Sequence, residues 1–255
     1  MNYFLILSLV VLIYMSAWFL FSLLLKRNDI ADVAWGIGFV VLAWASFLLS
    51  GNLHWLVIIV NLLVTVWGLR LALHIFQRNR KKSEDYRYAE WRNAWGKFFY
   101  VRSYLQVFLL QGLFLYIISI PVIILNKFNI QTTSPLVFLG IIVWITGFIF
   151  ETVGDAQLSK FMSDATNKGK VLNTGLWKYT RHPNYFGEVT QWWGIWLIVI
   201  IATGNWVSIL GPLLITFLIL KVSGIPLLEK KMATQPAFKE YMEKTSVFIP
   251  WFSRK

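Results

Sequence analysis

The chain has 255 residues, of which 57% are hydrophobic, and its mean hydropathy is +0.60. Its formal net charge is +12 and it contains no cysteine, which excludes disulfide bonds and thiolate metal sites. The apolar residues run in stretches long enough to cross a bilayer, so we predict an integral membrane protein.

Seven apolar stretches are long enough to span a membrane, and they leave little room for a soluble domain. They predict an all-α, polytopic protein with one transmembrane helical domain over residues 1–255. The first stretch lacks the basic n-region and cleavage site of a signal peptide, so we interpret it as a retained helix. The predicted spans are residues 3–25, 30–50, 54–76, 99–126, 135–157, 184–203 and 205–224.

The basic residues are concentrated in alternate connections between these spans. The opposite connections hold a single cation, Lys127. By the positive-inside rule the N-terminus is outside and the C-terminus is cytoplasmic. This pattern accounts for the net charge without nucleic acid as a partner. The cation-rich connections are residues 26–29, 77–98, 158–183 and the tail after residue 224.

Ionisable residues at membrane depth need a partner or a cavity. Asp29 and Asp32 stand at the start of the second span, where Asp29 suits helix capping and Asp32 is a candidate acid. On the third span, Arg70 and His74 are one turn apart, and Arg78 lies one turn further. We expect this basic, titratable stripe to run toward the cytoplasm.

The loop after the third span reads QRNRKKSEDYRYAEWRNAW. Its lysine pair, Lys81 and Lys82, suits anionic lipid. Acidic groups gain nothing from lipid, so they either cap a helix, order the loop or contact a ligand. We expect one of these three roles for Glu84, Asp85, Arg87 and Tyr88. Tyr86 and Tyr88 are also candidate acids.

The fifth span carries Glu151 and Asp155 at positions i and i+4, and the sixth carries Glu188 and Gln191. These groups either form buried ion pairs with Arg70 or line a cofactor pocket.

The segment GLWKYTRHPNYFGE, residues 175–188, gathers cations, hydrogen-bond donors and aromatic rings between two apolar runs. Arg181 can bind phosphate through a bidentate fork, and Asn184 with Glu188 can satisfy a carboxamide. Trp177, Tyr179 and Tyr185 offer flat faces for adenine or nicotinamide. His182 suits either a helix start or a phosphate contact.

No G-x-G-x-x-G or Walker loop is present, so any dinucleotide must lie within the helical bundle. Three scattered histidines make a metal site improbable.

The run GLWKYTRHPNYFGEVTQWWG resembles the cofactor motif of the membrane steroid 5-alpha-reductase and sterol reductase superfamily. LHIFQR, residues 73–78, resembles the third-helix motif of the steroid 5-alpha-reductases, and Asp155 stands where that family has an aspartate in its NADPH site. ADVAWG, EDYRY and SGIPLLEKK are similar to a poorly characterised bacterial branch of the superfamily, which implies the bacterial cytoplasmic membrane.

This resemblance implies an NADPH-dependent reductase of a carbon–carbon double bond in a lipophilic, steroid-, isoprenoid- or lipid-like substrate. Hydride transfer would need a nearby acid. No protein partner is implied. The cofactor-binding residues implied are Arg78, Asp155, Trp177, Arg181, His182, Asn184, Tyr185 and Glu188.

The substrate half departs from the family pattern. Ile75 stands where steroid-reducing members have a tyrosine that polarises the substrate ketone, and Thr234 and Lys230 replace a tyrosine and a histidine. The acid must therefore come from another position, and the candidates are Asp32, Tyr86, Tyr88 and His74.

Two other functions remain open. The RHP-x-Y-x-G pattern, with a later Tyr241 and Pro250, also resembles the isoprenylcysteine and phospholipid methyltransferases, which use S-adenosylmethionine. A non-enzymatic lipid-binding protein is the third possibility.

Overall fold

The computed structural model describes residues 2–80, 84, 86–132 and 134–252, with the backbone alone for residues 86, 87 and 89. The described part is helical, and seven of its helices or continuous helical runs are long and apolar enough to cross a membrane. The prediction of an all-α, polytopic membrane protein with seven spans is therefore confirmed. The chain divides into two compact units, residues 1–130 and 131–255.

Unit 1 contains the first four spans. The long helices α1, α2 and α3 cover Tyr3–Leu25, Ile30–Ser50 and Trp55–Asn79. Next come α4 (Tyr86–Trp95), a 3-10 turn (Gly96–Phe98), α5 (Phe99–Arg102), a π-helical stretch (Ser103–Leu109), α6 (Leu110–Ile118) and α7 (Ile120–Lys127).

Local signals in the sequence explain where the helices of unit 1 begin and end. The Asn2 side chain accepts a hydrogen bond from the Phe4 N–H and caps α1, and His54 Nδ1 accepts one from the Leu56 N–H and caps α3. The second helix ends at Gly51, whose φ of 64° lies in the left-handed region.

The fourth span lies earlier in the chain than predicted. It covers Glu90–Ile118 instead of residues 99–126, and the remaining residues form the separate helix α7. Pro121 stands in the first turn of α7, and it has no N–H to continue the hydrogen-bond ladder of the preceding helix. The apolar composition runs through this break, so hydropathy alone does not reveal it.

Unit 2 contains α8 (Val137–Ser163), α9 (Pro183–Thr203), α10 (Leu210–Phe217), α11 (Ile225–Met232) and α12 (Pro236–Lys244). The last candidate span, Trp206–Met232, also contains a 3-10 turn at Trp206–Ile209, a π-helical stretch at Leu218–Val222 and a bend at Ser223 and Gly224 before α11.

Glycines let α8 and α9 pack closely in antiparallel directions. A Cβ added at Gly147 would lie 2.6 Å from the Gly187 carbonyl oxygen, and one added at Gly140 would lie 2.7 Å from the Gly194 carbonyl oxygen. Small residues allow this backbone approach between membrane helices. The approach places the polar side chains of both helices between them.

Candidate functional site

The amide of Asn184 meets the carboxylate of Asp155 where α9 begins against α8. Asn184 Nδ2 donates to Asp155 Oδ1 over 3.1 Å, and Asp155 is buried. A Cβ on Gly154 would lie 3.1 Å from the Asn184 backbone nitrogen, so the bare glycine makes room for this contact. Within the described part of the chain, the buried Asn184 Oδ1 accepts no hydrogen bond.

Trp177 lies against the same turn of α8. Its indole Nε1 donates to the Gly154 carbonyl over 3.2 Å, and its side chain is buried. The preceding Leu176 N–H donates to Gln157 Oε1 over 3.0 Å. These two bonds hold the loop before α9 against the turn of α8 that contains Asp155.

Arg181 and His182 both bind Glu229. Arg181 Nε and Nη2 donate to the two carboxylate oxygens over 2.8 and 3.2 Å, and His182 Nε2 lies 3.1 Å from Oε1. Arg181 Nη1 also donates to the carbonyls of Met242 and Thr245, over 2.8 and 2.9 Å. We call Arg181, His182 and Glu229 the arginine clamp; it fastens the start of α9 to the C-terminal segment.

The C-terminal segment is held to the same loop by further bonds. The Tyr241 hydroxyl donates to the Trp177 carbonyl, and burial raises the pKa of Tyr241, so this hydroxyl keeps its proton. The Thr180 hydroxyl donates to the Phe248 carbonyl over 2.8 Å. The loop before α9 and the chain end therefore form one structural element.

Tyr185 and Glu188 lie on the first two turns of α9 and are half-buried. The ring of Tyr185 stacks on His182, with centroids 5.7 Å apart and an interplanar angle of 25°. Glu188 follows Asn184 by one helical turn, which places both on one face of α9. Deeper in the span, Gln191 Nε2 donates to the buried Glu151 Oε2 over 2.5 Å.

The structure brings six of the predicted cofactor residues, Trp177, Arg181, His182, Asn184, Tyr185 and Glu188, to the start of α9 and the loop before it, with Asp155 facing them from α8. A cofactor-binding role for each stays a prediction. Arg181 as a phosphate ligand would have to share a guanidinium that already binds Glu229. Arg78 lies in unit 1, where it is exposed and its Nε donates to Asn79 Oδ1 over 3.2 Å.

Two of the four candidate acids meet in unit 1. The hydroxyl of the buried Tyr88 donates a hydrogen bond to Asp32 Oδ1 over 2.9 Å, which joins α4 to the first turn of α2. His74 is half-buried on α3. The side chain of Tyr86 lies outside the described residues, as do Lys81, Lys82, Asp85 and the Arg87 side chain.

Acidic residues order the polar end of unit 1. Asp29 occupies the N-cap position of α2, but the predicted capping bond is wrong because its carboxylate binds Arg27 instead, at 2.7 Å. This hydrogen bond raises the pKa of Arg27. Glu84 accepts from the Asn28 N–H over 2.7 Å and from Arg92 Nη2 over 3.1 Å, so it orders the loop.

Sequence reasoning missed two residues of the unit 2 network, Glu229 and Gln157. Glu229 sits in the motif SGIPLLEKK, where a lone carboxylate beside two lysines was the available signal. Gln157 had no such signal, because a glutamine near a helix end is ordinary. Both acquire their roles from partners far away in sequence.

Comparison with known proteins identifies the family of this chain. Residues 18–245 match the family described as protein of unknown function (DUF1295). An uncharacterized protein of Schizosaccharomyces pombe is 24% identical over 224 residues, and the match covers 75% of this chain and 62% of the yeast protein. No solved structure matches the chain significantly.

Two steroid-metabolising enzymes show weaker similarity over a shorter region. The 3-oxo-5-alpha-steroid 4-dehydrogenase 1 of Homo sapiens is 26% identical over 119 residues, which cover 47% of this chain and 43% of the human protein. Its Macaca fascicularis counterpart is also 26% identical, over 42% of its own length. The chain thus spans less than two thirds of each of these relatives. It belongs to the DUF1295 family, within the steroid 5-alpha-reductase-like membrane superfamily.

Proposed function

We propose that this chain is a membrane reductase that uses NADPH to reduce a carbon–carbon double bond in a lipophilic substrate. Distant similarity to a 3-oxo-5-alpha-steroid 4-dehydrogenase supports an oxidoreductase-like enzyme. The cofactor is our inference from the resemblance of the segment at the start of α9 to the superfamily's cofactor motif, and the lipophilic substrate is our inference from the apolar helices.

The observation that carries the proposal is the amide of Asn184. Its nitrogen donates a hydrogen bond to Asp155, while its buried oxygen accepts no hydrogen bond within the described residues. An unsatisfied buried acceptor costs about 1–3 kcal/mol, so such an atom calls for a partner. The carboxamide N–H of a nicotinamide would supply one, and the residues present therefore fit this cofactor.

The unit 2 residues that would hold NADPH are Asn184, Asp155, Trp177, Tyr185 and Glu188, with Arg181 and His182 as candidates for its phosphates. A role for Arg78, in unit 1, stays a prediction. When bound, the cofactor supplies a hydride to one carbon of the double bond. The chain must orient the two reactants, exclude water and donate a proton where negative charge develops.

For that proton Tyr88 and Asp32 are one candidate pair, joined by a hydrogen bond within unit 1. His74 and Tyr86 remain alternatives. The substrate is expected to arrive from the lipid phase, and the cofactor from the cytoplasm.

A membrane methyltransferase is the second candidate. One observation favours it: the arginine and histidine of its RHP motif both bind Glu229, and the later Tyr241 donates to the Trp177 carbonyl in the loop that precedes this motif. The RHP segment and the later segment that contains Tyr241 are therefore in direct contact. A lipid-binding protein without catalytic activity is the third candidate.

Binding of NADPH and of S-adenosylmethionine to the detergent-purified protein separates these functions. For the reductase, we expect NADPH to bind and Asn184→Ala to weaken its affinity about 10-fold or more, because a buried hydrogen bond is lost. Glu188→Ala should weaken it as well. Asn173→Ala, on an exposed loop of the same unit, is the matched control and should bind like the wild type.

Thermal unfolding of each variant distinguishes lost contacts from lost folding. Asn184→Asp preserves the size of the side chain and keeps an oxygen acceptor, but it places a second carboxylate against Asp155, so its unfolding temperature shows how much the amide donor matters there. S-adenosylmethionine binding without NADPH affinity would reject the reductase in favour of the methyltransferase. Binding of neither, in well-folded protein, would favour the lipid-binding function.

A further inference from the structure

The C-terminal segment of unit 2 exposes a run of large apolar side chains. Ile249, Trp251 and Phe252 are 64%, 69% and 78% exposed, and Tyr179 beside them is 38% exposed. The rings of Tyr179 and Phe252 are in edge-to-face contact, with centroids 6.3 Å apart. We call these four residues the aromatic platform. An exposed apolar patch of this kind marks a surface that binds a protein, a membrane or a ligand.

The position of the platform is set by a membrane span. Tyr179 precedes α9 by four residues, and α9 is one of the helices able to cross the membrane. The Trp251 N–H donates to the Tyr179 carbonyl over 2.9 Å, so the tail lies at the level where this span begins. Tyrosine and tryptophan are enriched at that depth because their rings are apolar and their edges are polar.

The platform is firmly attached to the loop before α9. The Arg181 N–H donates to the Ser246 carbonyl over 2.8 Å, and the Thr180 hydroxyl donates to the Phe248 carbonyl. The arginine clamp adds the bonds to Met242 and Thr245 described above. The platform and the segment that carries the candidate cofactor residues are therefore joined by several hydrogen bonds.

Exposed lysines accompany the platform. Lys178 directly precedes Tyr179, and Lys244, which also binds Glu240, lines the same cleft as Trp251 and Phe252 together with Glu243. Lysines close to a bilayer surface are attracted to anionic headgroups. Aromatic side chains at the interface and cations beside them together match an anionic lipid surface.

We propose that the aromatic platform lies in the headgroup layer of an anionic bilayer, the membrane that α9 itself spans, and holds the loop before α9 there. This interaction does not depend on which cofactor the protein uses. A second copy of the chain or a soluble protein covering the platform would be a different occupant, and the experiment below separates them.

The absence of cysteine makes the test clean, because a single introduced cysteine carries one label. Ile249→Cys is labelled with an environment-sensitive fluorophore and the protein is placed in nanodiscs that contain anionic lipid. We expect quenching by nitroxide-bearing lipid to be several-fold stronger than quenching by aqueous iodide. Replacing the anionic lipid with zwitterionic lipid should reduce the lipid quenching.

Two control positions calibrate the measurement. Ile142→Cys, on an exposed position within α8, should be quenched by lipid, and Ala165→Cys, on the exposed loop after α8, should be quenched by iodide. A further variant, Trp251→Ser with Phe252→Ser, should shift the label at position 249 toward iodide. Thermal unfolding checks that this variant is folded.

Three results would overturn the proposal. Dominant iodide quenching at position 249 would show that the platform is in water. Protection from both quenchers would show that protein covers it. Equal lipid quenching with and without anionic lipid would show that the lysines do not recognise the headgroups.

Discussion

The hydroxyl of Tyr88 donates a hydrogen bond to Asp32 Oδ1 over 2.9 Å, which joins two of the candidate acids into one unit. If this hydroxyl donates the proton in the proposed reduction, Tyr88→Phe should lower kcat about 100-fold or more, because general acid catalysis contributes at least that much. NADPH affinity should not change. Single-turnover kinetics and cofactor titration measure the two effects separately.

The matched control at this scale is Tyr100→Phe, which removes the hydroxyl from an exposed tyrosine. It should leave kcat unchanged. Asp32→Asn should resemble Tyr88→Phe, because Asp32 holds the hydroxyl. If Tyr88→Phe lowers thermal stability and leaves kcat intact, the bond between the two residues is structural and the acid lies elsewhere.

At the scale of secondary structure, the pair α8 and α9 positions the candidate cofactor residues. A Cβ added at Gly187 would overlap the Glu151 backbone nitrogen, so the helices would have to separate. We expect Gly187→Ala to destabilise the protein by about 1–3 kcal/mol, the usual cost of overpacking. Thermal unfolding in detergent measures this change.

The same substitution should weaken NADPH binding, because separating the helices pulls Asn184 away from Asp155. Val153→Ala is the control, since it alters α8 at a position that is 38% exposed. Unchanged stability in Gly187→Ala would mean that the two helices can move apart at no cost, and the close packing would then not explain the site.

Element boundaries show where sequence reasoning was limited. The first, second and sixth spans were predicted to within one residue, because caps and polar connections bound them closely. The fourth span was displaced, since a π-helical stretch and a proline break lie inside continuous apolar sequence. The sequence predicted that Asn184 and Asp155 belong to one site, but not that they form a hydrogen bond. It did not predict the binding of Arg181 and His182 to Glu229.

At the scale of the whole molecule, we expect seven spans to place the two termini on opposite sides of the membrane. The positive-inside rule predicts that the C-terminus and residues 77–98 face the cytoplasm. Reporter fusions at the C-terminus and within this loop should therefore be active only as cytoplasmic reporters, and a fusion in residues 51–54 should behave in the opposite way. Accessibility of the loop from outside would contradict both this topology and the supply of cytoplasmic NADPH.

The sequence alone determined the membrane class, the number of spans and the polar segment before α9. These properties depend on composition and on local runs of apolar residues, which can be read along the chain. Only the tertiary structure decided which polar groups meet: Asn184 with Asp155, Tyr88 with Asp32, and the arginine clamp with the C-terminal segment. Each contact joins residues at least 29 positions apart, and helix packing sets such contacts through the shapes of whole surfaces, which no local pattern records.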